Sequence, residues 1–436
     1  MAMVVKNNMP AKNTLNQLDK NDKALAKSLK KVASGMKING ADDDASGYSI
    51  SERMDTQLRS LEQDNANAQN GSSLLKTAEG AVSSTVDILK TLKEKAINAA
   101  NDTNTDADRA TMQKEFDQAI DQIDDNANVT FNGKTLVDGS KNHEVPAPGT
   151  YTSLSNANLH EGTLFDDYLT DLKDGNGNSL NISESDTITL SYVKNGKTYT
   201  SSSKVGEMSL DTLLSDLGAD QDITFISPIT SVVGQNEYGE DVTTPDGRTA
   251  LTYRAQDPGL DGQIAGLTIT FTDRYGSAKR DANAVFNDFQ ETIRAHDPSQ
   301  NNALVLQVGT KANQSVNADL SDMRSVALGL RSKDGQTLSI GTQENANAAI
   351  NVLDNAMKKA LDQQTTIGSI ESRLEYTSAN LVTSSENTQS SASVIRDANM
   401  AQEMTNYTKN NVLKQAAQSM LAQANQSSSA VLSLLQ

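Results

Sequence analysis

The sequence predicts a mainly α protein: a long antiparallel helical rod or coiled coil formed by both chain ends, with a β-hairpin and a central α+β domain. Three observations carry this. Of seven prolines, only Pro10 lies outside residues 146–298, and proline is excluded from helix interiors. Twelve of the seventeen Phe and Tyr residues fall between 141 and 301. On both sides of that window apolar residues recur every three or four positions, which is the helical period.

Composition narrows the function classes. The chain has 436 residues, of which 36% are hydrophobic and 4% aromatic, with no Trp. That is long enough to bury a sizeable core, but it suits polar-faced helices better than a compact enzyme. A net charge of −18 argues against nucleic acid as a ligand. The charge is uneven, since residues 1–40 hold eight Lys against Asp19 and Asp22. There is no cysteine, which removes disulfides and thiolate metal sites. Met3-Val4-Val5 is far shorter than the ~7–15 apolar residues of a secretory signal. No run approaches the ~20 apolar residues of a membrane span, so no membrane insertion is expected.

The first periodic stretch runs from Leu15 to Met36. Leu15, Leu18, Leu25, Leu29, Val32 and Met36 make a narrow apolar seam, with Asp22 as its one polar break. So little apolar area does not offset the entropy of ordering the chain, and the stretch needs a partner. Asp42, Asp43 and Asp44 read as an acidic helix N-terminus rather than a metal site. A second stretch from Ile50 through Leu75, Val82, Leu89 and Ala99 keeps helical spacing, a length of roughly 75 Å at 1.5 Å per residue. Gly71 and Gly80 weaken it locally. Thr105 or Asp106 is placed to cap a shorter helix carrying Met112, Phe116, Ile120 and Ile123. Val129–Phe131 and Thr135–Val137 flank Asn132-Gly133, a hairpin signal.

In the central window Thr187–Val193 alternates, and Asn195-Gly196 turns it into Thr198–Thr200. Leu267–Phe271 is a further strand, and Asp211–Leu217 and Ala282–Ile293 read as short helices. The second arm opens with a strand, Leu304–Val308. A long helix follows through Ile350, Leu353, Met357, Ile367, Leu374 and Leu381, its seam softened by Gln364, Glu371 and Ser378. The tail carries Met400, Met404, Tyr407, Leu413, Ala417, Met420, Leu421 and Ala424, then Val431-Leu432-Ser433-Leu434-Leu435. Its small, adaptable Met and Ala face is the expected partner of Leu15–Met36. Exposed terminal helices on identical subunits also invite open self-assembly.

Sites of chemistry are scarce. His143, His160 and His296 include no i, i+4 pair, and all three read as solvated surface residues. Asp174-Gly175-Asn176-Gly177-Asn178 opens like a calcium loop, but Ser179 and Ser185 stand where Gly and a bidentate Glu belong, which leaves an Asn/Gly turn. No phosphate loop or nucleophile elbow occurs. No catalytic residue, cofactor or metal is expected.

The motifs resemble those of bacterial flagellins. Ser34-Gly35-Met36-Lys37-Ile38-Asn39 and Ala41-Asp42-Asp43-Asp44-Ala45-Ser46-Gly47 are similar to the family's "SGLRINSAKDDAAG". Leu75–Ala81 resembles "LQTAEGAL", and Phe131-Asn132-Gly133 matches the hairpin "FNG". Leu421–Gln426 and Val431–Gln436 resemble "LAQANQ…VLSLLR". The likeness covers about 1–140 and 302–436. It implies a terminal-helix, inner-tube domain of 1–44 with 394–436, a helical shell of 45–140 with 302–393, and a variable outer domain of 141–301.

The implied function is a secreted, extracellular filament subunit for motility, exported unfolded by the flagellar type III system. Its implied partners are copies of itself, an export chaperone, the filament cap and hook-associated proteins. A hook–filament junction protein and a secreted helical-stalk adhesin are the alternatives. In flagellins sensed by Toll-like receptor five, the first-arm helix presents an Arg and then a Leu. Aligned on Asn101, those positions are Thr91 and Lys95 here, with a family Glu kept as Glu115. The resemblance therefore implies weak activation of that receptor.

Overall fold

The computed structural model describes residues 8–226, 231–244 and 247–434, with side chains described to residue 426. About half of the chain is helical. Two compact units are formed, one from residues 1–68, 307–314 and 376–436, the other from 69–306 and 315–375.

In the first unit α1 spans Met9–Ser34. Asn8 Oδ1 accepts the Ala11 N–H, and Pro10 sits in the first turn, where its missing donor costs nothing. Gly35 ends the helix at φ +74°, its N–H donating to the Lys31 carbonyl, a left-handed cap that favours glycine. Helix α2 covers Ala45–Ala99. Its start is capped by Asp44 Oδ1, which accepts the N–H groups of Ser46 and Gly47 at 3.1 and 3.0 Å. Helix α6 covers Gln343–Arg396 and α7 Met400–Leu434. Within this unit Ser378 of α6 donates to Asn65 Oδ1 of α2 at 2.6 Å, and Arg396 meets Glu52 at 3.2 Å. The two breaks between helices are stitched together. Lys37 N–H donates to the Arg396 carbonyl and Ala398 N–H to the Gly35 carbonyl, both at 2.8 Å.

In the second unit the rest of α2 and α6 packs with α3 (Asp106–Ala127). Leu75, Val82, Leu89, Leu92, Phe116, Ile120, Leu353 and Ile367 are fully buried there. Thr105 and Asp108 cap α3 reciprocally, which satisfies two otherwise orphaned N–H groups. Gly71 does more than weaken α2. A Cβ there would lie 2.7 Å from Leu306 Cδ1, so the glycine admits that leucine. The hairpin is present but shorter than read, as β1 (Thr130–Phe131) and β2 (Lys134–Thr135), with Asn132 and Gly133 at φ +51° and +75°.

The central residues build two antiparallel sheets over one apolar core. The first sheet has the order β10-β4-β5, from Ile264–Thr272, Thr187–Lys194 and Lys197–Lys204. The second runs β11-β3-β9-β6, from Gln290–Ile293, Ser153–Asn156, Leu251–Ala255 and Ile223–Phe225. A separate hairpin pairs β7 (Val232–Gln235) with β8 (Asp241–Thr243). Helix α4 covers Leu213–Asp216, and β12 (Leu304–Gln307) pairs with β13 (Ser315–Ala318). The Asn195-Gly196 turn forms as expected, at φ +53° and +68°.

The single helix expected over Ala282–Ile293 is corrected. Helix α5 covers only Arg280–Phe286, and Gln290–Ile293 become strand β11 on β3. Edge pairing with a segment more than 130 residues away overrides local helical spacing. Asp174 Oδ1 accepts the N–H groups of Asn176 and Asn178, so that segment is an Asx turn.

Candidate assembly surface

The terminal helices α1 and α7 run antiparallel, and three side chains fix their register. Asn8 Nδ2 donates to the Ala424 carbonyl at 3.2 Å, Asn21 Nδ2 to the Leu413 carbonyl at 3.2 Å, and Asn410 Nδ2 to Ser28 Oγ at 3.1 Å. Lys414 pairs with Asp22 at 2.9 Å, and Lys31 lies 3.9 Å from Glu403. Near the break, Lys27 pairs with Asp43 at 2.8 Å. This pair and the Asn39 N–H hold the Asp43 carboxyl below its ordinary value.

The residues that α1 turns inward are Thr14, Leu18, Asn21, Leu25, Ser28 and Val32, alternately four and three apart. That is a heptad seam, but half of it is polar, and its most buried members are Asn21 and Ser28. The facing seam of α7 is Glu403, Tyr407, Asn410, Lys414, Ala417, Leu421 and Ala424, in the same alternation. Asp22 is therefore not the one polar break, as the apolar pattern alone implied. It lies beside a seam whose centre is already polar.

The expected seam residues divide into two sets. Leu18, Leu25, Val32, Met36 and Leu421 are half-buried, and Ala417 is buried. Leu15, Leu29, Met404, Leu413 and Met420 remain 41–64% exposed, with Met9, Met400 and Val412 beside them in the same condition. Leu434 belongs to α7 by its backbone, but its side chain, and all of Leu435, lie outside the described residues. The arrangement thus holds the two ends together by a seam that is half polar and leaves a second set of apolar side chains facing out. Burying a half-exposed Leu or Met is worth about 1 kcal/mol, so five of them supply several kcal/mol to whatever covers them. The polar seam positions Thr14, Asn21, Ser28, Asn410 and Lys414 escaped a reading based on hydrophobicity. Their strict four–three spacing was the available signal.

Elsewhere, of the positions expected to meet the receptor, Thr91 and Glu115 are exposed on α2 and α3 and Lys95 is half-buried. Lys95 is ion-paired to Glu115, and the exposed Thr91 donates its hydroxyl to the Asp87 carbonyl at 3.1 Å. The reading of three surface histidines is corrected. His160 is exposed, but His143 is buried and His296 largely so, both against Glu237, which their isolation in sequence concealed. Among the described residues no group of three or more His, Asp or Glu is placed to hold a metal ion, and no helix is long and apolar enough to cross a membrane.

Comparison with known proteins bears on these helices. Residues 5–142 match the bacterial flagellin N-terminal helical region, and residues 350–435 match the bacterial flagellin C-terminal helical region. A flagellin of Clostridium tyrobutyricum is 34% identical over 97% of this chain and 99% of its own length. A flagellin of Bacillus subtilis is 27% identical over 99% of this chain and all of its own length. The flagellar filament 33 kDa core protein of Treponema phagedenis is 26% identical over 99% of this chain and all of its own.

Proposed function

The chain belongs to the bacterial flagellins, and from that premise we propose how its two ends serve a flagellar filament. Its role is structural, as in the rest of the family, rather than enzymatic. In this reading residues 1–44 and 394–436 form the inner-tube domain, 45–140 and 302–393 the shell, and 141–301 the outer domain.

One observation carries the mechanism: the seam between α1 and α7 is half polar, with Asn21 and Ser28 its most buried members on α1, while Leu15, Leu29, Met404, Leu413 and Met420 face outward. Two helices joined through Asn, Ser and Lys and only a few half-buried apolar side chains gain little by staying paired in water. They cohere when further copies cover the apolar stripes, so that assembly and ordering of the ends become one step. Such a coupling favours addition to an existing tip over spontaneous clustering. It also keeps the ends readily unfolded for passage through a narrow type III export channel, where a chaperone would shield Leu29 and Met420 before the cap receives the subunit. Hook-associated proteins then meet the same terminal faces at the filament base.

The same reading assigns weak activation of Toll-like receptor five. The Lys95 charge is already engaged by Glu115, and Thr91 offers no guanidinium to a partner.

Seeded polymerisation tests the central claim. Purified full-length chain added to filament fragments is expected to extend them into long tubes seen by negative stain. Chain trimmed of 1–44 and 394–436 is expected to stay monomeric while its β-rich module remains folded by circular dichroism. Tubes from the trimmed chain, or growth that stops after a ring or two with the full chain, would overturn the proposal.

A further inference from the structure

The β7–β8 hairpin ends in a turn built for rigidity. Asn236 Oδ1 accepts the N–H groups of Tyr238 and Glu240, both at 2.9 Å. That turn aims two side chains into the body of the outer module. Glu237 Oε2 lies 2.7 Å from His296 Nε2, and its Oε1 lies 3.6 Å from His143 Nε2. The Tyr238 ring stacks on the His143 ring, with centroids 4.4 Å apart. His143 Nε2 is itself buried without a hydrogen-bond partner. At the hairpin base Val233 is buried, and Gly234 lies so close to Ile293 that a Cβ would come within 2.9 Å of its Cδ1. Behind the tip is a cavity of about 450 Å³.

We propose that Glu237, His296 and His143 form an acid-released latch that fastens the β7–β8 hairpin over this cavity near neutral pH and frees it in mild acid. Every element around the cluster contributes charge. Strand β11 brings Glu291 and, one residue past its end, Arg294; α6 brings Lys359 and Asp362, and the segment after β13 brings Asp319. Burial holds His296 below its ordinary value, against the pull of the Glu237 bond, and Lys359 and His143 add repulsion. With the tip detached, that imidazole returns to water and to its usual value of about 6.5. As pH falls below that value the open form takes up its proton before the closed form does, and the closed form is disfavoured. Burial alone would raise Glu237, but its bond to His296 keeps the carboxyl below the ordinary range. Its contribution is lost only in stronger acid, in the same direction. Glu291, raised by burial, runs the opposite way and sits on β11 rather than on the hairpin.

Hydrogen exchange on the full chain reads the latch directly, because local opening sets amide protection. Corrected for intrinsic rates, protection of amides 232–243 is expected to fall several-fold between about pH 7.5 and about pH 5. His296→Gln keeps a donor without a titrating ring and is expected to flatten that fall, while Glu291→Gln retains it. Unchanged protection in the parent chain, or a full acid loss persisting in His296→Gln, would overturn the proposal. Should His296→Gln leave the hairpin unprotected throughout, Glu237→Gln decides. Loss of protection already at neutral pH supports the latch, and parent-like protection at both values refutes it.

Discussion

At the scale of single residues, Asn21 carries the most information. Its amide is buried and reaches the Leu413 carbonyl at 3.2 Å, a carbonyl inside a helix that already has a backbone partner. Asn21→Leu therefore leaves no acceptor stranded and adds apolar contact, tightening the α1–α7 pair by about 1 kcal/mol. Circular dichroism of the monomer should record higher helicity, and secretion from flagellated cells should fall as the ends resist unfolding. Unchanged helicity would mean that the seam's polarity does not govern the pairing. Residues 91 and 95 make the second prediction at this scale. Thr91→Arg with Lys95→Leu removes the Lys95–Glu115 pair and restores the family's Arg and Leu. Potency in a Toll-like receptor five reporter cell line should rise at least tenfold, equivalent to about 1.4 kcal/mol. Equal potency before and after would show that these positions do not limit recognition. Neither Asn21 nor the buried Arg109 stands out in the sequence. Arg109 donates to the Ala99 and Asn101 carbonyls and closes the C-terminal end of α2, but one Arg in a polar helix looks like any solvated charge.

At the scale of elements, the helices were legible because each arm repeats a period many times over. The boundaries at Gly35, Asp44 and Thr105 follow from local capping chemistry. The phase of the seam was not legible. Leu15 and Leu29 drew the apolar stripe about one position away from the Thr14–Asn21–Ser28 face that meets α7, because hydrophobicity cannot mark a polar interface. The central sheets were only partly legible. The β4–β5 turn is local, whereas β3 pairs with β9 and β11 across about a hundred residues or more, and no local pattern records such a pairing. Between α2 and α6 the softness read from Glu371 has a physical basis. Its Oε1 is buried without a hydrogen-bond partner. Burial, then the Glu79 carboxylate, raises its value above the ordinary one, with Lys76 opposing. A carboxyl raised in the folded state binds its proton there more readily, so its effect favours folding in acid and is lost as pH rises through that value. Glu371→Gln should raise the melting temperature at neutral pH and reduce the difference between neutral and mildly acidic melts. An unchanged pH dependence would place the effect elsewhere.

At the scale of the molecule, the polar seam and the outward apolar stripes describe a chain whose ends are incomplete without copies of itself. The proposal makes the exposed stripes matter to assembly and little to the isolated subunit, so the two should respond differently to mutations there. Leu29→Ser and Met420→Ser remove side chains that touch little within the chain, being 52% and 64% exposed. Their cost to the isolated subunit should be within about 0.5 kcal/mol, as for ordinary surface substitutions. In a polymer the same losses recur at every subunit, about 1 kcal/mol or more each. A deficit of about 2 kcal/mol at each addition raises the critical concentration roughly thirtyfold, since every 1.4 kcal/mol is a factor of ten. The double variant should therefore melt like the parent yet fail to extend seeds at concentrations where the parent grows. Substituting Leu18 and Leu25, half-buried against α7, should instead lower monomer helicity and growth together. If the Leu29/Met420 variant elongates normally, the exposed stripes are not the surface that copies cover, and assembly must rest on the helices of the shell.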